Sequence, residues 1–264
     1  MRGLLDCAQM IDSHTHLFLC EPPEEELIGA AREAGLDRLL NVGLGRDSNQ
    51  TAIAAAERNE EVFASVGCHP TSAAEFDDEL EEEIARLAAH EKVRAVGETG
   101  IDYYRDSATP DQQRQAFRAQ IQIARERDLP IVIHARDVEG ESKATDECFE
   151  ILDADADGVA VILHCFLAPG RVQDAIERGW YCSFSGIVTF PKSDALREAA
   201  AALPDELVLV ETDAPYLAPQ PVRGKPNEPA HVIATAQVVA EARGVSYDEL
   251  ERKVEANART LFGW

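Results

Sequence analysis

A chain of 264 residues, 45% hydrophobic and 28% charged, can bury a sizeable core, which excludes an intrinsically disordered protein. No run of about 18 apolar residues occurs, and the opening MRGLLDCAQM has neither a long apolar stretch nor a small-residue cleavage site, so neither a membrane span nor a secretory signal is expected, and a cytoplasmic location is. With 49 acidic against 25 basic residues the net charge is −24, which excludes long-range attraction to nucleic acid at low salt and leaves such a role to local cations.

In chain order, β-rich apolar runs occur at Ala8–Ser13, Arg38–Val42, Val62–Cys68, Val93–Gly97, Pro130–His134, Val159–His164, Trp180–Ser185 and Leu207–Glu211. Helical spacing separates them: a Glu-rich helix after Pro22 and Pro23, then Ser48–Arg58, Ala73–His90, Pro110–Asp128, and a last pair from Ala230 to Leu261. In the seventh unit, Phe184–Phe190 reads as irregular loop. Eight alternations imply parallel βαβ units closing into a (β/α)8 TIM barrel of the α/β class, and no Pro/Gly/Ser linker divides the chain, so one domain over residues 1–264 is expected.

In such barrels chemistry gathers at the carboxyl ends of the strands. Strand one runs into Asp12-Ser13-His14-Thr15-His16, strand three into His69, strand four into Gly97-Glu98-Thr99-Gly100, strand five into His134, strand six into His164 and strand eight into Glu211-Thr212-Asp213. Five of the seven His thus fall at strand ends. His14 and His16, two apart on an extended strand, face the same side. Joined to Glu98, His134, His164 and Asp213 they supply four imidazoles and two carboxylates, enough for two divalent ions sharing one carboxylate. Two ions about 3.5–4 Å apart can activate water and clamp a phosphoryl oxygen. No Lys follows strand four, so Glu98 is the shared carboxylate, and the glycines beside it let the chain turn tightly there.

The acids cluster in amphipathic segments such as Asp77–Glu83 and are expected on solvated helix faces, and together with only five Lys they suggest adaptation to a salt-rich cytoplasm. Cys7, Cys20, Cys68, Cys148, Cys165 and Cys182 form no CxxC pair, which fits a reduced compartment. His90 and His231 read as capping or surface groups, and Cys165 as core packing.

The motifs DSHTHL, GCHP, GETGID, HAR, HCF, SGIVTF, ETDAPYL and RGKPNEP, in this order, resemble the TatD family of metal-dependent deoxyribonucleases from about Ile11 to Phe262. The resemblance implies a (β/α)8 hydrolase that cuts phosphodiester bonds in DNA, often as a 3′ to 5′ exonuclease. It further implies that His14, His16, Glu98 and Asp213 hold one ion, and that Glu98 is shared with a second held by His134 and His164. Asp213 is then placed to take the proton of the attacking water. By the same resemblance His69 contacts the substrate phosphate, and Arg136, Lys225 and Asn227 bind phosphate or nearby backbone, with Arg105 and Arg223 as lesser candidates. Glu211 is expected to orient a metal-binding imidazole or Asp213, and Asn257 to be structural.

Three departures from the family stand out: Phe18 where an acid is usual, a longer HCFLAPG segment after strand six, and the extra start Met1 to Met10. The metal is Mg²⁺, Mn²⁺ or Zn²⁺, since His and carboxylate donors accept each. DNA is the expected partner, with no membrane and no obligatory protein partner. The alternative activity on this scaffold is hydrolysis of esters or amides.

Overall fold

The computed structural model describes residues 9–264, so Cys7 and Ala8, the expected start of the first strand, lie outside the described residues. Eight parallel strands follow one another in sequence order: β1 (Met10–Thr15), β2 (Leu36–Val42), β3 (Val62–Val66), β4 (Val93–Asp102), β5 (Ile131–Arg136), β6 (Val161–Leu163), β7 (Tyr181–Phe184) and β8 (Val208–Val210). Between and after them run α1 (Glu24–Ala34), α2 (Arg46–Arg58), α3 (Asp78–Leu87), α4 (Pro110–Arg127), α5 (Lys143–Asp155), α6 (Val172–Arg178), α7 (Asp194–Ala202), α8 (Val232–Arg243) and α9 (Tyr247–Phe262). This is the expected (β/α)8 architecture. The strands are buried on both faces, as parallel strands under a helical layer must be, and this is why they read as apolar runs without alternation.

Helix boundaries follow local chemistry. Pro110 takes the first turn of α4, where its missing N–H costs nothing, and Thr109 and Gln112 cap it reciprocally. The inward face carries Ala116, Phe117, Gln120, Ile121 and Ala124 at three- and four-residue spacing. The single helix expected over Ala73–His90 is divided. Asp77 accepts from the Leu80 N–H at 2.8 Å and starts α3, while the chain before it forms a 3₁₀ turn over Pro70–Glu75. Leu80, Ile84 and Leu87 turn inward, and the acids of Asp77–Glu83 lie outside the core. No described helix is long and apolar enough to cross a membrane.

Two features of the barrel shape the site. First, β4 continues past Gly97 to Asp102 rather than ending there. Its pairing with β5 steps from Val96↔Ile131 to Thr99↔Ile133, one residue too many on β4, so a bulge forms at Gly97-Glu98. Gly97 (φ +124°) and Gly100 (φ +138°) hold backbone that L side chains rarely adopt; a Cβ on Gly97 would lie 2.6 Å from the Val132 carbonyl oxygen, and one on Gly100 would collide with that of His134. Second, the seam beside β1 has no ladder from β8: the chain beyond β8 meets β1 through an isolated bridge, Thr15↔Ala214. Side chains close the seam: Asp12 accepts from the Thr212 N–H at 2.9 Å and its hydroxyl at 2.5 Å, and Ser13 Oγ donates to Val210 O at 2.9 Å.

Candidate metal centre

All six expected ligands meet at the carboxyl-end mouth, and Glu98 stands at their centre. Its Oε2 lies 3.3 Å from His14 Nε2 and 3.7 Å from His16 Nε2, while its Oε1 lies 2.6 Å from His134 Nδ1 and 3.2 Å from His164 Nε2. Asp213 Oδ1 closes the first group, 3.4 Å from His16 Nε2 and 3.9 Å from His14 Nε2. The two carboxylate oxygens therefore face two different pairs of imidazoles, an arrangement that depends on the β4 bulge to bring Glu98 inward.

Backbone and carboxylate partners decide which ring nitrogens can act as donors to a cation. His16 Nδ1 lies 2.7 Å from Val42 O, and a carbonyl only accepts, so the proton sits on Nδ1 and the Nε2 lone pair faces the cluster. His164 Nδ1 donates to Glu211 Oε1 at 2.9 Å, so its Nε2 is the nitrogen that would face a cation once the ring is neutral. His69 is the reverse: its Nδ1 accepts from the Thr71 N–H at 3.2 Å, which leaves the proton on Nε2. Although His69 Nε2 stands 3.4 Å from Glu98 Oε1, the neutral ring presents a hydrogen-bond donor there and not a metal-binding lone pair.

Charge in the cluster is mutually supporting. Burial would raise the Glu98 carboxyl, yet the imidazoles of His164 and His69 and the bonds from His134 and His14 outweigh it and hold it well below the usual carboxylate range. Burial works against a proton on His164, and Glu211 and Glu98 overcome it, raising His164 well above its ordinary value. Asp213 likewise stays low against its burial through His16, His164 and His14.

The donor set fits divalent cations. Donors held about 2.0–2.1 Å from an ion in tetrahedral array stand about 3.3–3.4 Å apart, and the separations of His14 and His16 from each other, from Glu98 and from Asp213 bracket that value at 3.2 to 3.9 Å. His14 Nδ1 is buried without a hydrogen-bond partner. His14, His164 and Asp213 form a further compact group.

The other expected site residues divide. Arg136 projects at the mouth with its guanidinium 4.1 Å over the Tyr104 ring, and Lys225 is exposed in the loop after β8. Asn227, expected at phosphate or nearby backbone, is buried: its amide donates to Thr212 O at 2.9 Å and Tyr216 O at 2.6 Å, and its Oδ1 accepts from the Glu228 N–H at 3.1 Å. With both ends committed to backbone, it holds the β8 loop and offers nothing to a phosphate. Arg223 stacks on Phe190 at 4.2 Å, Asn257 donates to Asp205 O and Val208 O, His90 pairs with Glu57, and His231 belongs to a capping box with Glu228. Cys165 is not turned into the core: it lies beyond β6 at φ +42°, half-buried, with Sγ 3.2 Å from Ser185 Oγ.

Asp102 and Asp12 escaped the sequence reading. Asp102 Oδ2 lies 3.2 Å from His134 Nε2, and its Oδ1 accepts from the Arg105 N–H at 2.8 Å, so it orients His134 and ties down the following loop. Its position as the last residue of GETGID was the available signal. Burial pushes the Asp12 carboxyl up to about 8 against the lowering bonds from Thr212 and His14, in keeping with a structural role at the seam.

The sequence model of a family described as TatD related DNase matches residues 11–263. A Bacillus subtilis protein named uncharacterized metal-dependent hydrolase YabD is 36% identical over 257 residues, covering 96% of this chain and 98% of its own. A Dickeya dadantii protein named 3'-5' ssDNA/RNA exonuclease TatD is 35% identical over 246 residues, covering 90% and 91%. Among solved structures, that of YJJV, a TatD homologue from Escherichia coli K12, matches with a TM-score of 0.89 at 26% identity, covering 98% of this chain and 99% of its own.

Proposed function

Because the chain belongs to the TatD-related DNase family and is a metal-dependent hydrolase, we propose that it is a single-domain deoxyribonuclease that removes nucleotides from the 3′ end of DNA. The observation that carries this reading is the division of Glu98, one oxygen toward His14 and His16, the other toward His134 and His164. The Dickeya dadantii relative, named a 3'-5' ssDNA/RNA exonuclease, supports the polarity and a nucleic-acid substrate.

In this reading His14, His16, Glu98 and Asp213 would hold one divalent ion, and Glu98, His134 and His164 a second, and ions held there would supply Lewis acidity toward a phosphoryl group. Asp213, at the more open side of the cluster, accepts the proton of the attacking water on its carboxylate. His69 Nε2–H donates to a phosphoryl oxygen, consistent with its acceptor Nδ1. Arg136 and Lys225 meet flanking phosphates, positioning the strand without reading its sequence. The bond from phosphorus to the 3′ oxygen of the preceding nucleotide breaks, that oxygen takes a proton from solvent to become the new 3′-hydroxyl, and a 5′-mononucleotide leaves.

Incubation of metal-reconstituted protein with end-labelled single-stranded and duplex DNA tests the reading. Stepwise shortening from the 3′ end that requires added divalent ion and stops with chelator is expected. No shortening, with turnover of a carboxylic ester or amide instead, would transfer the site to acyl hydrolysis.

A further inference from the structure

Among the described residues, the exposed large apolar side chains are Leu19, Tyr104, Val138, Leu167 and Tyr216. Every one lies in a loop following a barrel strand, namely β1, β4, β5, β6 and β8, on the face that carries the Glu98 cluster. Apolar exposure confined to one face of so acidic a protein marks a surface that is covered in use. Two of the five are aromatic rings, Tyr104 at 55% and Tyr216 at 53% exposure.

Both rings are presented by fixed backbone. Tyr103 N–H donates to Arg136 O at 2.9 Å and the Tyr103 hydroxyl bonds Glu147, while Asp102 accepts from the Arg105 N–H; Tyr104 is therefore held between two anchored neighbours. Tyr216 N–H donates to Asp213 O at 2.8 Å and Tyr216 O accepts from Asn227, so the buried Asn227 sets its position. Its ring lies 6.4 Å from that of His16. In an eight-stranded barrel whose order is that of the sequence, β4 and β8 stand on opposite sides, and so do the loops bearing these rings.

Charge indicates the occupant. Arg136 stacks on Tyr104 at 4.1 Å and Arg105 stands 5.9 Å from the same ring, and neither has a carboxylate partner among the described residues, although most arginines of this chain do. A π-face beside unpaired guanidinium groups suits a flat, apolar base attached to a phosphate. Only an unpaired nucleotide offers such a face, since bases inside a duplex stack on one another.

We propose that Tyr104 and Tyr216 are nucleobase platforms on opposite sides of the mouth, which hold the unpaired end of a strand across Glu98 and thereby select single-stranded over duplex ends. The inference rests on the nuclease reading above and adds to it the residues that choose the substrate. Asp102 and Asn227 act on this selection as positioning residues.

The test compares the metal-loaded enzyme on 5′-labelled oligothymidine and on the same chain ending in abasic sugar-phosphates. The wild type should show a KM for the abasic end raised by roughly 5- to 150-fold, the range that loss of a stacked base produces. In Tyr104→Leu and Tyr216→Leu this ratio should fall toward one through a higher KM for oligothymidine, and Tyr104→Phe and Tyr216→Phe should rescue it, because Phe keeps the ring. Leu variants that discriminate as the wild type does would overturn the inference and leave the nuclease reading standing. Failure of the wild type to shorten either chain would remove the nuclease reading and the inference with it.

Discussion

Glu211 Oε1 accepts from His164 Nδ1 at 2.9 Å and from the Cys165 N–H at 2.8 Å, so one buried carboxylate orients a ring of the cluster and the chain that bears it. Partners of this kind raise the basicity of an imidazole and fix its tautomer. Glu211→Ala should weaken Zn²⁺ affinity by about 10- to 100-fold, read by competition with a chelator, and Glu211→Gln should lose less because an amide oxygen can still accept both bonds. Equal affinity in all three proteins would remove Glu211 from the site.

Glu98→Ala takes an oxygen from both groups of imidazoles at once. Metal content should fall, and activity should drop by more than the roughly 10² to 10⁴ of a lost acid or base, while the circular dichroism spectrum stays folded. Unchanged metal content and rate would sink the shared-carboxylate assignment.

For Asn227 the structure predicts a stability effect and not a phosphate effect. Asn227→Ala leaves the carbonyls of Thr212 and Tyr216 without their buried donor, at a cost of about 1–3 kcal/mol. Thermal melting should show the loss with metal content intact. A melting temperature equal to the wild type, with KM raised equally for oligothymidine and for the abasic end, would restore direct phosphate contact.

Asp205 joins α8 to α9, 2.5 Å from Arg243 and 2.7 Å from Lys253. The bond from Lys253, opposed by partial burial and reinforced by Arg243, holds its carboxyl below the ordinary 3.8. A folded-state pKa below the unfolded one stabilises the fold above the unfolded value, and the contribution is lost as pH falls through the folded value. Asp205→Asn should therefore melt earlier than the wild type at neutral pH, and the gap should shrink below pH 3.8. A gap that is constant with pH would show that the pair contributes nothing.

The net charge of −24 carries a salt prediction. Monovalent salt first screens repulsion within the protein and between protein and DNA, so melting temperature should rise, and cleavage rate should hold or rise, toward molar KCl, where the Debye length is about 3 Å. A rate falling steadily from 50 mM upward in folded protein would set this reading aside while leaving the metal site untouched.

The barrel was legible in the linear chain because parallel strands buried on both faces read as apolar runs and amphipathic helices read at three- and four-residue spacing. His14 and His16 were legible together since a two-residue step returns to the same face of a strand. Other features needed the folded molecule because their partners are remote: Asp12 and Thr212 are 200 positions apart, His164 and Glu211 47, and His134 and Asp102 32. Residue pattern tells which way a side chain points along its own strand, whereas hydrogen-bond partners across strands depend on register. The bulge at Gly97-Glu98 is a register change of this kind, and it divides the Glu98 oxygens between two pairs of imidazoles. For the same reason only the packed loops could distinguish Asn227, with its amide bound to backbone, from Arg136, whose guanidinium lies against Tyr104 with no carboxylate partner among the described residues.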